Sequence, residues 1–334
     1  MATALGALLG ALCAATALGK LLRSAVETRA ERAVTRMRPR LVQLVAGNEG
    51  EVLLHGRGAD GRAVDRLATE LLGKVRGEAH ADLVAMLEDR GVLARARRRL
   101  RRGHGAGRAR AAELLGAAHD RRSVPELLGL LRGRRRREIR SVAARALGRI
   151  GDPVAVPALL DALGHGVTPR TVAQAVLQIG LPAEERLRRE LLSGGAPARA
   201  LAARVLGLAG AVTAGQALAR AIATDPDAEV RVSAAASAGR LGAPCAVDAL
   251  LDALAPQRTR AERAAAAEAL GRMSVTGAAE PLTRLVGEPD VAVAHAAACA
   301  LARLGPDGRA RLEALDDAGG LPAEHAREAL RRAA

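Results

Sequence analysis

The sequence predicts an all-α superhelix, a solenoid of about eight two-helix repeats preceded by one apolar N-terminal helix, and three observations predict it. First, 49% of the 334 residues are apolar, yet the chain holds no Phe, Tyr or Trp. A core of Leu, Val and Ala gathers its burial from many small contacts. Alanine faces let helices approach near the short end of the usual separation of about 8–10 Å, whereas strands lean on aromatic and β-branched residues. Second, residues 140–163 (RSVAARALGRIGDPVAVPALLDAL) recur in altered form at 231–254 (RVSAAASAGRLGAPCAVDALLDAL). Third, a turn residue recurs at nearly constant spacing through most of the chain, the signature of a repeat architecture.

The N-terminal element comes first. Residues 2–19 carry no charged side chain, and that many helical residues span about 27 Å, the thickness of a bilayer core. Lys20, Arg23, Arg29, Arg32, Arg36, Arg38 and Arg40 follow the stretch against only Glu27 and Glu31. The positive-inside rule then expects a single-pass anchor over 1–22, with the N-terminus outside and the rest cytoplasmic. A secretory signal would place basic residues before the apolar run, and a lipoprotein signal would place a small residue rather than Leu12 before Cys13. A cleaved signal and a soluble cytoplasmic start stay open as alternatives. Gly6 and Gly10 form a GxxxG in a glycine-rich stretch where chance matches are common. Residues 23–61 are expected to be a basic juxtamembrane helix and linker.

The repeats fill 62–334. In the first copy Val142, Ala143, Ala146, Leu147 and Ile150 make an apolar stripe of helical period. Gly151-Asp152-Pro153 then supplies a left-handed C-cap, an N-cap and a first-turn proline. Val156, Leu159, Leu160 and Leu163 line the second helix. Anchored on that glycine, equivalent positions fall at Arg76, His119, Gly151, Gly180, Gly210, Gly242, Ser274 and Gly305. From His119 the spacings are 32, 29, 30, 32, 32 and 31 residues. The longer first gap predicts an extra helix near 92–102, and 323–332 predicts a closing cap. The pattern V-R-x-x-A-A-x-A-L-G-x-I-G-D-x-x-A-V-P-A-L resembles the short bacterial HEAT repeat, a type also found in phycobilin-lyase proteins. With the apolar start, the chain is similar to actinobacterial proteins that carry an N-terminal membrane anchor. That resemblance implies a HEAT-like binding solenoid, with a membrane enzyme such as a glycosyltransferase as one expected partner.

Charge is unevenly placed. The formal total is +15. Residues 95–140 carry sixteen arginines against four acids, while 141–334 nearly balance. Two arginine sets therefore stand out. Eleven residues before the anchors stand Arg108, Arg140, Arg199, Arg231 and Arg263, with Arg170 one place off. Stacked helices would align them as a ladder. Each would either bond a turn carboxylate or neighbouring helix end, Asp152 being a natural partner, or contribute to an anion-binding strip. The second set is Arg97, Arg98, Arg99, Arg101 and Arg102 on the extra helix, with Arg134, Arg135, Arg136 and Arg137 in the following loop. These are expected to meet anionic lipid headgroups, each worth about 1 kcal/mol near the surface. An acidic protein or a nucleic-acid phosphate backbone are the alternatives. Base stacking is disfavoured without any aromatic ring.

Chemistry finds little support. The seven histidines show no zinc spacing, and no His is followed by Glu, unlike the di-iron hydroxylases built on such repeats. No nucleophile elbow, phosphate loop or dinucleotide fingerprint is present. A bilin-lyase-like activity would want an aromatic ring against the tetrapyrrole. No catalytic, metal or cofactor residue is nominated, and no cofactor is expected. Cys13, Cys245 and Cys299 are expected to be buried small hydrophobes rather than a disulfide framework. The expected function is a non-catalytic, membrane-anchored scaffold that binds a protein partner.

Overall fold

The computed structural model describes residues 58–133 and 136–333, with five further helical positions between 32 and 39. The expected anchor at 1–22 and most of the linker lie outside the described residues. No described helix is long and apolar enough to cross a membrane. From residue 58 on, the described residues hold eighteen α-helices and no strand. They divide into two compact units, Met1–Asp120 and Arg121–Ala334. The division falls at a turn that the repeat register places inside one helical pair.

In the first unit, α1 (Gly58–Leu72), α2 (Glu78–Asp89), α3 (Val92–Arg102) and α4 (Gly105–Ala117) pack each on the next. Leu67, Leu83, Leu87, Leu93, Leu100 and Leu115 are buried among them.

The second unit opens with α5 (Val124–Arg132). A first layer follows: α6 (Arg137–Ile150), α8 (Pro169–Ile179), α10 (Ala196–Leu208), α12 (Ala228–Leu241), α14 (Arg260–Arg272) and α16 (Val291–Ala302), each packed on its successor. The second layer holds α7 (Val156–Asp161), α9 (Glu184–Ser193), α11 (Gly215–Thr224), α13 (Val247–Asp252), α15 (Ala279–Val286) and α17 (Pro306–Ala318), and α18 (Gly320–Ala333) closes against α16 and α17. This is a HEAT-like solenoid. The apolar stripe from Val142 to Ile150 is buried, as are Val156, Leu159 and Leu160.

The turn column sets the register. Gly151, Gly180, Gly210, Gly242 and Gly305 all take positive φ, and so do His119 (51°) and Ser274 (52°). The two non-glycine anchors therefore adopt a conformation that L-residues ordinarily avoid. The first anchor is Gly77 (φ 65°) and not Arg76. Its ψ of −142° lies in a region that only a residue without Cβ enters freely.

A second column explains how the first layer closes. A Cβ at Gly148 would lie 2.6 Å from the Cα of Ala175, one at Gly207 would lie 2.9 Å from the Cα of Ser237, one at Gly239 would lie 2.6 Å from the Cα of Ala269, and one at Gly271 would lie 2.5 Å from the Cα of Ala300. Each of these glycines stands three residues before its anchor. Backbone thus meets backbone between successive helices, which is how a chain without aromatic side chains fills its core.

Candidate functional site

The arginine column lies where second helices end and first helices begin. Arg108 donates to the carbonyl of Arg101 at 3.1 Å, near the C-terminus of α3. Arg199 donates to the carbonyl of Gly194 at 2.9 Å, the C-cap of α9. Arg231 does the same to Asp225, the C-cap of α11, at 2.6 Å. A cation suits the negative end of a helix dipole. From Arg199 onward each guanidinium also takes a carboxylate, Asp225 and Glu288 from the linker after its own repeat and Glu262 from the next first helix. Arg199 holds Asp225 through two bonds of 2.8 Å, a bidentate fork. Arg231 donates Nε to Glu262, and Arg263 lies 2.7 Å from Glu288.

These pairs are largely withdrawn from water, with Glu262 and Asp225 only 3% and 7% exposed at the side chain. Burial alone would push the Glu262 carboxyl up, but hydrogen bonds from Arg231 and Thr259 hold it at about 2. Asp225 is likewise lowered: burial opposes its charge, and the Arg199 fork and the Asp227 amide outweigh it. The hydrogen bond to Asp225 raises Arg199, and that to Glu262 raises Arg231. In this stretch the column joins successive repeats.

Two expected members behave differently. Arg170 is exposed and stands apart from the network. Arg140 makes one long bond, 3.4 Å to the Gly133 carbonyl, and its Nε is buried without a partner. Asp152, expected as an arginine partner, instead accepts the Val154 amide at 3.0 Å and caps the turn Pro153–Ala155.

The basic set of the first unit separates in the same way. Helix α3 buries Leu93, Ala96 and Leu100 and exposes Arg95, Arg98, Arg99, Arg101 and Arg102. Arg97 is the exception to the expected contact surface. It bonds Glu88 and lies 3.1 Å from Asp120, with 14% of its side chain exposed. Burial opposes its charge, yet those two acids raise its pKa above the ordinary value. Its place at i+4 from Leu93 turns it toward the neighbouring helices. Arg136 is the N-cap of α6 and Arg137 its first residue, both exposed, so the loop is shorter than the sequence suggested. Arg134 and Arg135 lie outside the described residues.

A third feature was missed from the sequence. Leu177, Leu181, Leu187, Val205 and Leu206 surround an apolar notch of about 200 Å³ beside the turns at Gly180 and Ala211. At its rim Leu181 is 81% exposed, and Val212, next to Ala211, is 72% exposed. The available signal was a large apolar residue just after the turn in consecutive repeats, Val154, Leu181 and Val212. Cys245, expected to be buried, is exposed in the turn Pro244–Ala246, and Cys299 is half-buried, 3.5 Å from His295 Nε2. In that turn Ala243 and Ala246 are buried and Pro244 and Cys245 face outward. Among the described residues no three His, Cys, Asp or Glu side chains are grouped as a metal site.

Residues 93–180 match the family model for HEAT repeats. No curated protein sequence matches the chain. Among solved structures, the karyopherin Kap121p bound to the extreme C-terminus of the protein phosphatase Cdc14p aligns with TM-score 0.53 and 14% identity, over 91% of this chain and 41% of that one. Kap121p bound to Pho4p aligns with TM-score 0.51 and 13% identity, over 83% and 38%. The complex of CpcE and CpcF of phycocyanin lyase from Nostoc sp. PCC7120 aligns with TM-score 0.33 and 21% identity, over 72% and 94%. The chain spans about two fifths of the length of the karyopherin structures it matches. At these identities the similarity concerns the fold alone.

Proposed function

We propose that the chain is a non-catalytic adaptor that binds a protein partner along the turn edge of its second unit. The notch ringed by Leu177, Leu181 and Leu206, with Val212 beside it, carries this reading. Apolar side chains left this open on a water-soluble surface mark an interaction site. The karyopherin structures of similar fold are bound to protein, which agrees with the reading. The test is affinity capture with the full chain from its native cells under mild detergent, compared with a Leu181→Ser/Val212→Ser variant. The partner is lost on the variant while its helical signal and melting stay unchanged. Equal capture by both would overturn the assignment of this edge.

In the same reading, residues 1–22 tether the adaptor to a membrane, with the repeats on the cytoplasmic side and a membrane enzyme such as a glycosyltransferase as one partner. The uncharged run 2–19 followed by seven basic residues supports it. Arg98, Arg99 and Arg102 are exposed and make no ion pair or hydrogen bond within the described residues, leaving them available to anionic headgroups. Fractionation checks the tether: the full chain sediments with membranes, and deletion of 1–22 releases it. A nucleic-acid role would instead show duplex binding that weakens steeply with salt.

A further inference from the structure

The turn edge of the second unit changes character halfway along. Among the described residues eight large apolar side chains are exposed. Five of them, Val154, Leu177, Leu181, Leu208 and Val212, stand within three residues of the consecutive turns at Gly151, Gly180 and Gly210. Around the next three turns, at Gly242, Ser274 and Gly305, no large apolar side chain is exposed in the same span. Arginine stands there instead. The position two residues before the turn reads Arg149, Gln178, Leu208, Arg240, Arg272 and Arg303, and all six are exposed. Leu208 and Arg240 thus hold equivalent places on adjacent first-layer helices.

Most of these cations are uncompensated. Arg149, Arg240 and Arg303 make no ion pair and no side-chain hydrogen bond among the described residues. Arg272 lies 3.5 Å from Glu268, an exposed pair along one helix. Other acids beside these turns are engaged elsewhere. Asp152 accepts the Val154 amide, Glu184 accepts the Thr213 hydroxyl, and Asp307 pairs with Arg311. Asp248, in the first turn of α13, pairs with none of the column. First-layer helices meet backbone to backbone at Gly239 and Gly271, so successive members of the column lie about 8–10 Å apart. An extended chain advances about 3.3 Å per residue, roughly three residues per repeat.

We infer that this edge takes an extended segment of a partner protein, apolar at one end and acidic at about every third residue beyond it. The apolar side chains fill the notch beside Leu177, Leu181 and Leu206, and the carboxylates meet Arg240, Arg272 and Arg303. The inference rests on the protein-binding reading above and names the chemistry of the partner. Complementarity along the edge selects that occupant. A nucleic acid would satisfy the arginines and leave Leu181 and Val212 in water. A bilayer holds its apolar layer beneath its headgroups, whereas Leu208 and Arg240 stand side by side at one register position.

The test titrates the full chain with a fluorescent dodecapeptide of two leucines followed by glutamate at every third position, and with the same sequence reversed. One control peptide carries glutamine for glutamate, another serine for leucine. The glutamate peptide binds in at least one orientation, less tightly as salt is raised, and each control binds more weakly. Arg240→Gln/Arg303→Gln weakens the glutamate peptide about fivefold, as two exposed ion pairs allow, and leaves the glutamine peptide unchanged. Both arginines are exposed and unpaired, so this variant melts with the native chain. Glutamate-peptide binding that ignores the arginine variant overturns the inference, as does no binding in either orientation. Phosphatidylserine vesicles form a separate arm, expected to bind the native chain and the arginine variant alike. Vesicle binding lost in that variant would assign the edge to lipid and overturn the inference as well. The two readings fail separately. Leucine-dependent binding indifferent to charge keeps the docking edge and removes its acidic partner. Unchanged capture by Leu181→Ser/Val212→Ser removes the docking edge itself.

Discussion

Gly239→Ala and Gly129→Ala form a matched pair, because both glycines are helical, both lie in the second unit, and only their surroundings differ. Alanine in a helix interior is favoured over glycine by about 1 kcal/mol, through the entropy of the unfolded chain. At Gly129, in α5, a Cβ would meet nothing within 4 Å. That variant is expected to gain about 0.4–1 kcal/mol. At Gly239 the new methyl would sit 2.6 Å from both Cα and Cβ of Ala269, where carbon atoms want about 3.5–4.0 Å. No side-chain rotation relieves a clash with backbone, so α12 and α14 must separate by roughly 1 Å. Overpacking of this kind costs about 1–3 kcal/mol, and the helix gain offsets only part of it. A net loss of about 1–2 kcal/mol is expected, a melting decrease of roughly 2–8 °C for a unit of this size. Urea and thermal unfolding of the two variants beside the native chain measure it. A Gly239→Ala protein as stable as Gly129→Ala would refute the claim that these helices meet backbone to backbone.

Four further outcomes follow from the same geometry. Asp225→Asn leaves Arg199 buried beside a neutral group and should cost about 3–5 kcal/mol in denaturant unfolding, whereas Glu70→Gln, at the exposed pair with Arg66, should cost under about 0.5 kcal/mol. Glu262 is held at about 2 against an ordinary 4.5. Its depressed folded value means the stabilisation is complete above pH 4.5 and is lost as pH falls toward 2, about 3 kcal/mol in all; Glu262→Gln should flatten that part of the stability-pH curve and lower stability at neutral pH. Ser274→Gly should gain about 1 kcal/mol in thermal unfolding, because glycine occupies the positive-φ turn without strain. Ala143→Leu should lose about 1–3 kcal/mol, since Ala143 is fully buried between stacked helices.

The sequence alone determined the helical repeat and its register. Glycine-proline turns and apolar spacing are local signals, each acting within a few residues. They place the turns at His119 and Ser274 as well as at the glycines, each with positive φ, and miss only at Arg76, where the turn residue is Gly77. The identity of the arginine column was also legible, because it shares that register. What each arginine does was not. Arg199 is saturated by Asp225 and Arg140 is left without a carboxylate, although both stand eleven residues before a turn; Arg97 faces Glu88 and Asp120, although it reads like its exposed neighbours Arg98 and Arg99. The partner of a charge in this column comes from the linker after its repeat or the first helix beyond it, some 25 to 31 residues away, and depends on where each linker ends. The exposed ring of Leu181 and Val212 has the same origin. An apolar residue after a turn is buried or open according to how the neighbouring repeats stack, and that is settled only when the helices pack.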